Sequence, residues 1–270
     1  MKNKKVIKIY GGLGNQLFQL SFAIYLKNLV SNKTFLDINE FEYINHHSGF
    51  QLSKLLKIDF PLLNFLEHIK FKFFKRLSSR SNFYLKQNEK SANKIPSKDK
   101  IYQSRYFDGY WQNLTMVDSV IEELISYLKP IDHGKLKILD NYIAIHVRRG
   151  DYLLDEDMYL NICDKNYYKK AVNYFEDNLK NPKFFIFSDD IDWCKSNFSF
   201  IKNHEFIDYN KSALEDFILM IGFKNKIISN STFSWWSAML NSQSKIIIAP
   251  KVWNNIIEYD DFIPEKWIKI

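Results

Sequence analysis

Cysteine is scarce in this 270-residue chain. Cys163 and Cys194 are the only two, and they lack metal-ligand spacing. A disulfide scaffold and a zinc cluster are thereby excluded. No apolar run approaches the roughly 20 residues that span a bilayer, so no transmembrane helix is expected. The basic start, Met1-Lys-Asn-Lys-Lys, leads into Gly11, Gly12, Gly14, Asn15 and Gln16 rather than an apolar h-region. No secretory signal is therefore expected. Internal repeats and low-complexity tracts are missing as well. Arginine and glycine are rare, at five and eight residues, while lysine numbers 33. In such a lysine-rich chain the rare residues carry the information. Two of the five arginines are adjacent, Arg148 and Arg149, and three of the eight glycines fall between 11 and 14.

What is present describes a globular protein. An apolar content of 46% with 26% charged residues gives ample core for one large domain or two compact ones. The formal net charge of +7 raises nucleic acid or a membrane as partners. Its distribution decides between them. Residues 61–105 hold eleven Lys or Arg against Glu67, Glu89 and Asp99, and the rest of the chain is close to neutral. The basic character belongs to one segment without a recognisable nucleic-acid module, so no nucleic-acid partner is expected. Lys70, Lys72, Lys75, Arg76 and Arg80, interleaved with Phe71, Phe73 and Phe74, suit peripheral contact with an anionic membrane. An ordinary amphipathic helix with a solvated lysine face is the competing reading.

Along the chain, strands alternate with helices. Residues 6–10 read as a strand, Gly11-Gly-Leu-Gly-Asn-Gln16 as a turn, and Leu17, Phe18, Phe22, Ile24 and Leu29 as the apolar side of a helix. A second strand covers 34–38. The 62–77 region is helical by period, with Leu62, Leu66, Ile69, Phe73 and Leu77 on one stripe. In the second half, strands are expected at 142–147, 183–187, 226–229 and 244–249, with helices at 166–180, 190–197, 212–223 and 233–240. This alternation predicts α/β architecture with parallel sheets, as two Rossmann-like domains facing a central cleft. Pro130 and His133-Gly134 set the boundary near 135, giving domains 1–135 and 136–270.

Ligands of open parallel sheets bind beyond the carboxyl ends of the strands. Four polar groups fall there: the glycine loop, His146-Val-Arg-Arg-Gly-Asp-Tyr152, Ser188-Asp189-Asp190 and Ser229-Asn-Ser-Thr-Phe-Ser234. The glycine loop and the Ser231–Ser234 stretch each open a helix whose free N–H groups suit an anion, though capping alone explains the serines equally well. An arginine pair offers bidentate forks for phosphate. One arginine is expected to close a turn with Asp151, the other to face ligand. One of Asp189 and Asp190 is expected to cap the helix that follows. Trp235 and Trp236 read as core, and both cysteines as buried small hydrophobes.

Taken together, Gly11-Gly-Leu-Gly-Asn-Gln-Leu-Phe-Gln19, His146-Val-Arg-Arg-Gly-Asp-Tyr152, Phe185-Ile-Phe-Ser-Asp-Asp190, Ile228-Ser-Asn-Ser-Thr-Phe-Ser-Trp-Trp236 and Ile248-Ala-Pro-Lys251 resemble the ordered motifs of the family 11 glycosyltransferases. These are the α-1,2-fucosyltransferases that use GDP-fucose. The resemblance implies a GT-B fold with the donor mainly in the C-terminal domain, 136–270, and the acceptor on the side of the N-terminal domain, 1–135, which includes the basic segment 61–105. It also implies inversion at the fucose anomeric carbon without an obligatory metal or other cofactor. Carried onto this chain, Arg148 would clamp the diphosphate, supported by Arg149. His146 and Asp190 would help hold the guanosine part, Ser188 and Asp189 would also bind the donor, and Ser231, Thr232, Phe233 and Ser234 would meet the β-phosphate. Gly12, Gly14, Asn15 and Gln16 would close on the donor from the other domain. The acceptor would be a galactose-terminated glycan, lipid-linked if the basic segment rests on the cytoplasmic membrane. Asp37 and Asp151 are the candidates for the general base that takes the acceptor's proton.

Overall fold

The computed structural model describes residues 4–30, 33–43, 49–77, 83–88, 91–131, 136–257, 259 and 261–270. Two compact units divide at Met1–Pro130 and Ile131–Ile270. The His133-Gly134 punctuation expected at the boundary lies outside the described residues, as does Arg80 of the basic segment.

Four strands form the sheet of the N-terminal unit: β1 (Lys4–Lys8), β2 (Lys33–Asp37), β3 (Tyr84–Lys86) and β4 (Tyr106–Asp108). Their order is β2-β1-β4-β3 and every pairing is parallel. Parallel strands covered on both faces read as continuous apolar runs, and Val6 and Ile7 of β1 are fully buried. The chain leaves β1 through Gly11, whose φ of +76° is the left-handed region that favours glycine. Gly12 then precedes the helix Leu13–Leu29 in extended conformation, and that helix buries Leu17, Phe18, Leu20 and Phe22. Within β1 a lysine is buried: Lys5 Nζ donates to the carbonyls of Ile101, Tyr102 and Ser104.

The helix expected at 62–77 runs Phe65–Leu77, but its orientation is not the one its period suggests. Leu66, Ile69 and Phe73 are 70%, 46% and 60% exposed, while His68 and Phe71 point inward. Phe71 packs with Val6, Phe35 and Tyr106, and that aromatic core sets the inward face. The apolar stripe read from the sequence is therefore the outer one.

The C-terminal unit holds six strands: β5 (Tyr142–Val147), β6 (Lys183–Ser188), β7 (His204–Phe206), β8 (Asn225–Ile227), β9 (Ile247–Ala249) and β10 (Ile268–Lys269). The order is β10-β9-β8-β5-β6-β7, all parallel. Counted from β5, this is the doubly wound 3-2-1-4-5-6 arrangement, whose strand order reverses between β5 and β8. Alternate residues feed the two faces. Ile143, Ile145, Val147 and Ile186 join one apolar cluster with Tyr168 and Phe175. Ala144, Phe185 and Phe187 join the other with Met220 and Phe223. The expected parallel α/β architecture is thus found in both units.

Trp235 and Trp236 are fully buried, as expected of core residues, and Trp235 Nε1 donates to Phe262 O at 3.1 Å. Cys163 and Cys194 are free, and burial pushes their thiols up to about 12 and about 11. Among the described residues, no helix is long and apolar enough to cross a membrane.

Candidate active site

The register between β5 and β6 builds the centre of the site. Val147 pairs with Ser188, so Arg148 and Arg149 leave β5 directly beside Asp189 and Asp190 leaving β6. Arg148 Nη1 lies 2.9 Å from Asp189 Oδ2, and its Nη2 lies 2.8 Å from Asp151 Oδ1. Arg149 Nε lies 3.1 Å from Asp190 Oδ2, and its guanidinium sits 3.8 Å above the Trp193 ring. Asp190 also caps the helix Ile191–Asn197 by accepting from the Trp193 N–H at 3.2 Å. Ser188 Oγ accepts the Asp190 N–H at 2.9 Å.

The two tasks expected of separate arginines meet in one. Arg148 makes the turn-closing bond to Asp151, and it is also the arginine with donors to spare. A guanidinium carries five N–H groups, and the two ion pairs engage two of them. Arg149 is fixed by its carboxylate and its aromatic platform. One aspartate caps a helix, as expected, and it is Asp190.

On the other side of β5, across the strand-order reversal, lies the serine-rich turn after β8. His146 Nδ1 is 2.8 Å from Ser229 Oγ, and the imidazole stacks on Phe233 with centroids 5.3 Å apart. Burial, reinforced by the Arg148 charge, pushes His146 down to about 3, so the ring is neutral at physiological pH. Ser231 is the N-cap of the helix Thr232–Met239, its Oγ accepting the Phe233 N–H at 3.3 Å. Ser234 Oγ folds back onto the carbonyls of Ser229 and Ser231. Tyr152 links the two sides: its hydroxyl donates to Asn230 O at 3.0 Å, and the Arg148 guanidinium lies 5.7 Å from its ring.

Gly150, Tyr152 and Ser229 stand within the sequence motifs without an individual role there, and Trp193 lies outside them. Gly150 carried a signal in its rarity, since it follows the arginine pair in a glycine-poor chain. A Cβ there would come within 2.8 Å of Asp189 Oδ2.

The glycine loop belongs to the N-terminal unit. Asn15 Oδ1 accepts from Gln112 Nε2 at 2.9 Å. Gln16 is fully buried, donating to the carbonyls of Gly11 and Gly49 and accepting the Gln51 N–H, while Gly14 is buried within the helix. These contacts make Gln16 a clamp on its own loop, because its amide faces into the unit and not outward to a ligand.

The carboxylates expected as general base need correction. Asp37 is buried at the end of β2, bonded to His68 Nδ1 at 2.6 Å, the Tyr106 hydroxyl at 2.7 Å and Asn39 Nδ2 at 2.7 Å. Burial pushes its carboxyl up, but the hydrogen bonds from Asn39, Tyr106 and His68 prevail and hold it below the usual carboxylate range. An enclosed, stabilised carboxylate is an anchor, not a base for an incoming hydroxyl. Asp151 is half-exposed, but it is bound to Arg148. Among the described residues, no group of three or more His, Cys, Asp or Glu side chains is arranged to hold a metal ion.

The sequence profile described as glycosyl transferase family 11 matches residues 1–270, the whole chain. An α-1,2-colitosyltransferase of Escherichia coli is 33% identical, over 98% of both chains. The O-antigen biosynthesis glycosyltransferase WbnK of Escherichia coli is 30% identical over 60% of this chain and 59% of that one. Bovine (Bos taurus) galactoside 2-α-L-fucosyltransferase SEC1 is 28% identical over 51% of this chain and 39% of its own length. With a match from first residue to last and the arginine pair and serine turn gathered at the reversal of a doubly wound sheet, the chain belongs to glycosyl transferase family 11 and is a glycosyltransferase.

Proposed function

We propose that the enzyme transfers L-fucose from GDP-fucose to the 2-hydroxyl of a terminal galactose, with inversion at the anomeric carbon. The observation that carries this reading is Arg148, held in place by two carboxylates at the strand-order reversal with unengaged N–H donors. In the reaction, the bond from C1 of the sugar to the β-phosphate oxygen breaks, a bond from C1 to O2 of galactose forms, and the proton of that hydroxyl is lost to solvent. Negative charge builds on the departing GDP as positive charge builds on the sugar ring. Arg148 and the backbone N–H groups at the start of the helix Thr232–Met239 stabilise that charge more in the transition state than before it. The turn closed by Asp151 and Asp189 holds the guanidinium in position in advance, so little reorganisation is needed during reaction.

No obligatory metal belongs to this proposal. The charge role of a divalent cation passes to Arg148, and the Asp189 and Asp190 carboxylates are already engaged by the arginines. Asp190 and the neutral His146 are assigned to the guanosine side. Asp151, bonded to the arginine that meets the leaving group, is on the wrong side to deprotonate an acceptor that approaches opposite the phosphate. The test is GDP release from GDP-fucose in the presence of a galactoside, with wild type and Arg148→Ala compared. Normal transfer by the variant would remove Arg148 from its assigned role.

A second donor is favoured by one finding, the relation over nearly the whole chain to an α-1,2-colitosyltransferase. The fold and the diphosphate clamp serve a colitosyl donor equally well. Competing GDP-fucose against GDP-colitose in one reaction separates the two readings by which sugar appears in product.

We also propose that the acceptor is lipid-linked and that the basic segment meets an anionic membrane. The support is the outward face of the helix Phe65–Leu77, where Leu66, Ile69 and Phe73 are exposed. At about 100° per residue, exposed Lys70 and Lys72 fall on either flank of that stripe. Apolar side chains would enter the headgroup boundary and the lysines would meet anionic lipid. Sedimentation with anionic vesicles at low and high salt tests it; absence of binding at low salt ends the idea.

A further inference from the structure

The N-terminal unit holds a cavity of about 240 Å³ that none of the assigned roles uses. Its lining includes Lys8 at the end of β1, Asp108 at the end of β4, Glu40 beyond β2, His68 and Phe71 from the helix Phe65–Leu77, and Tyr84 of β3. Three observations define what it takes.

The first is size. Clefts for drug-sized ligands run to roughly 300–1,000 Å³. At about 240 Å³ this cavity has the room of a single sugar ring.

The second is the chemistry of the lining. Lys8 Nζ lies 2.5 Å from Glu40 Oε2 and 3.8 Å from Asp108 Oδ1, and the Tyr84 hydroxyl donates to Asp108 Oδ2. Lys72 also lines the cavity, so two lysines balance the two carboxylates; a lining without net charge favours a neutral ligand, whose hydroxyls the carboxylates accept. Phe71 and the Tyr84 ring add apolar wall, of the kind that receives the C–H face of a pyranose.

The third is an unsatisfied group. His68 is buried and lines the cavity, with Nδ1 fixed by Asp37 at 2.6 Å. Its Nε2 is also buried and has no hydrogen-bond partner among the described residues. A buried polar nitrogen left unpaired is costly. A hydroxyl-bearing ligand in this cavity supplies what the protein does not.

We propose that this cavity binds one neutral pyranose ring of the glycan acceptor, with Asp108 and Glu40 accepting its hydroxyls and His68, oriented by Asp37, facing one of them. The identification of the ring as acceptor rests on the transferase reading above. The binding itself does not.

Two measurements separate the claims. Wild-type protein is titrated with methyl β-D-galactoside, without donor, while the imidazole signals of His68 are followed by NMR. The expected result is a saturable shift at His68 Nε2; no shift up to solubility-limited galactoside overturns the proposal. Glu40→Gln and Asp108→Asn are then assayed with lactose as acceptor. Each is expected to raise the lactose KM about tenfold, the loss of one charge-assisted hydrogen bond. The KM for GDP-fucose and the hydrolysis of GDP-fucose by water should remain at wild-type values. An unchanged lactose KM in both variants, or an equal change in the donor KM, also overturns it. If wild type transfers no sugar at all, the transferase reading fails, while the galactoside titration still reads the cavity.

Discussion

Arg148 and Asp189 join the ends of two neighbouring strands, Nη1 to Oδ2 at 2.9 Å. The same carboxylate accepts the Arg149 backbone N–H through Oδ1, also at 2.9 Å. One aspartate thus fastens both arginines at the end of β5. Its placement depends on the register between β5 and β6 and on the missing side chain of Gly150.

Removing the Arg148 guanidinium should leave the fold and end turnover. Its ion pairs are partly exposed, and such pairs contribute at most about 1 kcal/mol to stability. Loss of a preorganised charge at the leaving group costs at least about 100-fold in kcat. For Arg148→Ala we expect a circular dichroism spectrum and Tm close to wild type, no detectable transfer, and a weakened thermal response to GDP. Retained transfer with a retained GDP response would show that another group meets the diphosphate.

Gly150→Ala should act through Asp189 rather than directly. The added Cβ lies within 2.8 Å of the carboxylate and must push it from its position between the arginines. The expectation is a lower kcat with little change in Tm, and no further loss when Asp189→Asn is added, as non-additivity of coupled sites requires. Fully additive losses would mean that Gly150 serves some other purpose.

Much of this arrangement is legible in the sequence, and the parts that are not share a cause. The strands at 142–147 and 183–187 stand out because buried parallel strands read as apolar runs. The polar groups after them are found because open sheets place ligands at those ends. The turn that an arginine closes with Asp151 is readable from their spacing, but the pairing of Arg148 with Asp189 is not, since it depends on how two strands forty residues apart align. Periodicity likewise finds the stripe of Leu66, Ile69 and Phe73 but not its direction. That direction is set by Phe71 meeting Val6, Phe35 and Tyr106. Asp37 looks like a base at a strand end until His68, Tyr106 and Asn39 are seen to enclose it.

Ser231→Ala tests the cap on the proposed phosphate seat. Losing an N-cap hydroxyl costs about 1 kcal/mol, which a modest fall in Tm will register. Weaker GDP binding should accompany it, because the same turn presents the helix N–H groups. A lower Tm with unchanged GDP affinity would assign Ser231 to the helix alone.

Lys226 in β8 gives a stability effect with a definite pH dependence. Burial pushes it down to about 7 from its ordinary 10.5. Between those values the unfolded chain binds one more proton than the folded one, so stability rises with pH. Below about 7 the folded protein carries a buried charge at full cost. Lys226→Met should therefore raise Tm at pH 6.5, with the gain shrinking towards pH 10. Phe223 O, which accepts from Lys226 Nζ, keeps the bond from Asn241 Nδ2 at 2.9 Å. A gain of equal size at both pH values would contradict the assignment of the burial cost to charge.

The most direct test of the central claim is the product itself. Purified enzyme is incubated with GDP-fucose and lactose in excess EDTA, and the trisaccharide is characterised by NMR. The account predicts undiminished turnover, one new α-fucosyl anomeric signal and a glycosylation shift at C2 of galactose, with no product from Arg148→Ala. GDP-fucose left intact while another sugar nucleotide is consumed, or fucose attached at any other position, would contradict it.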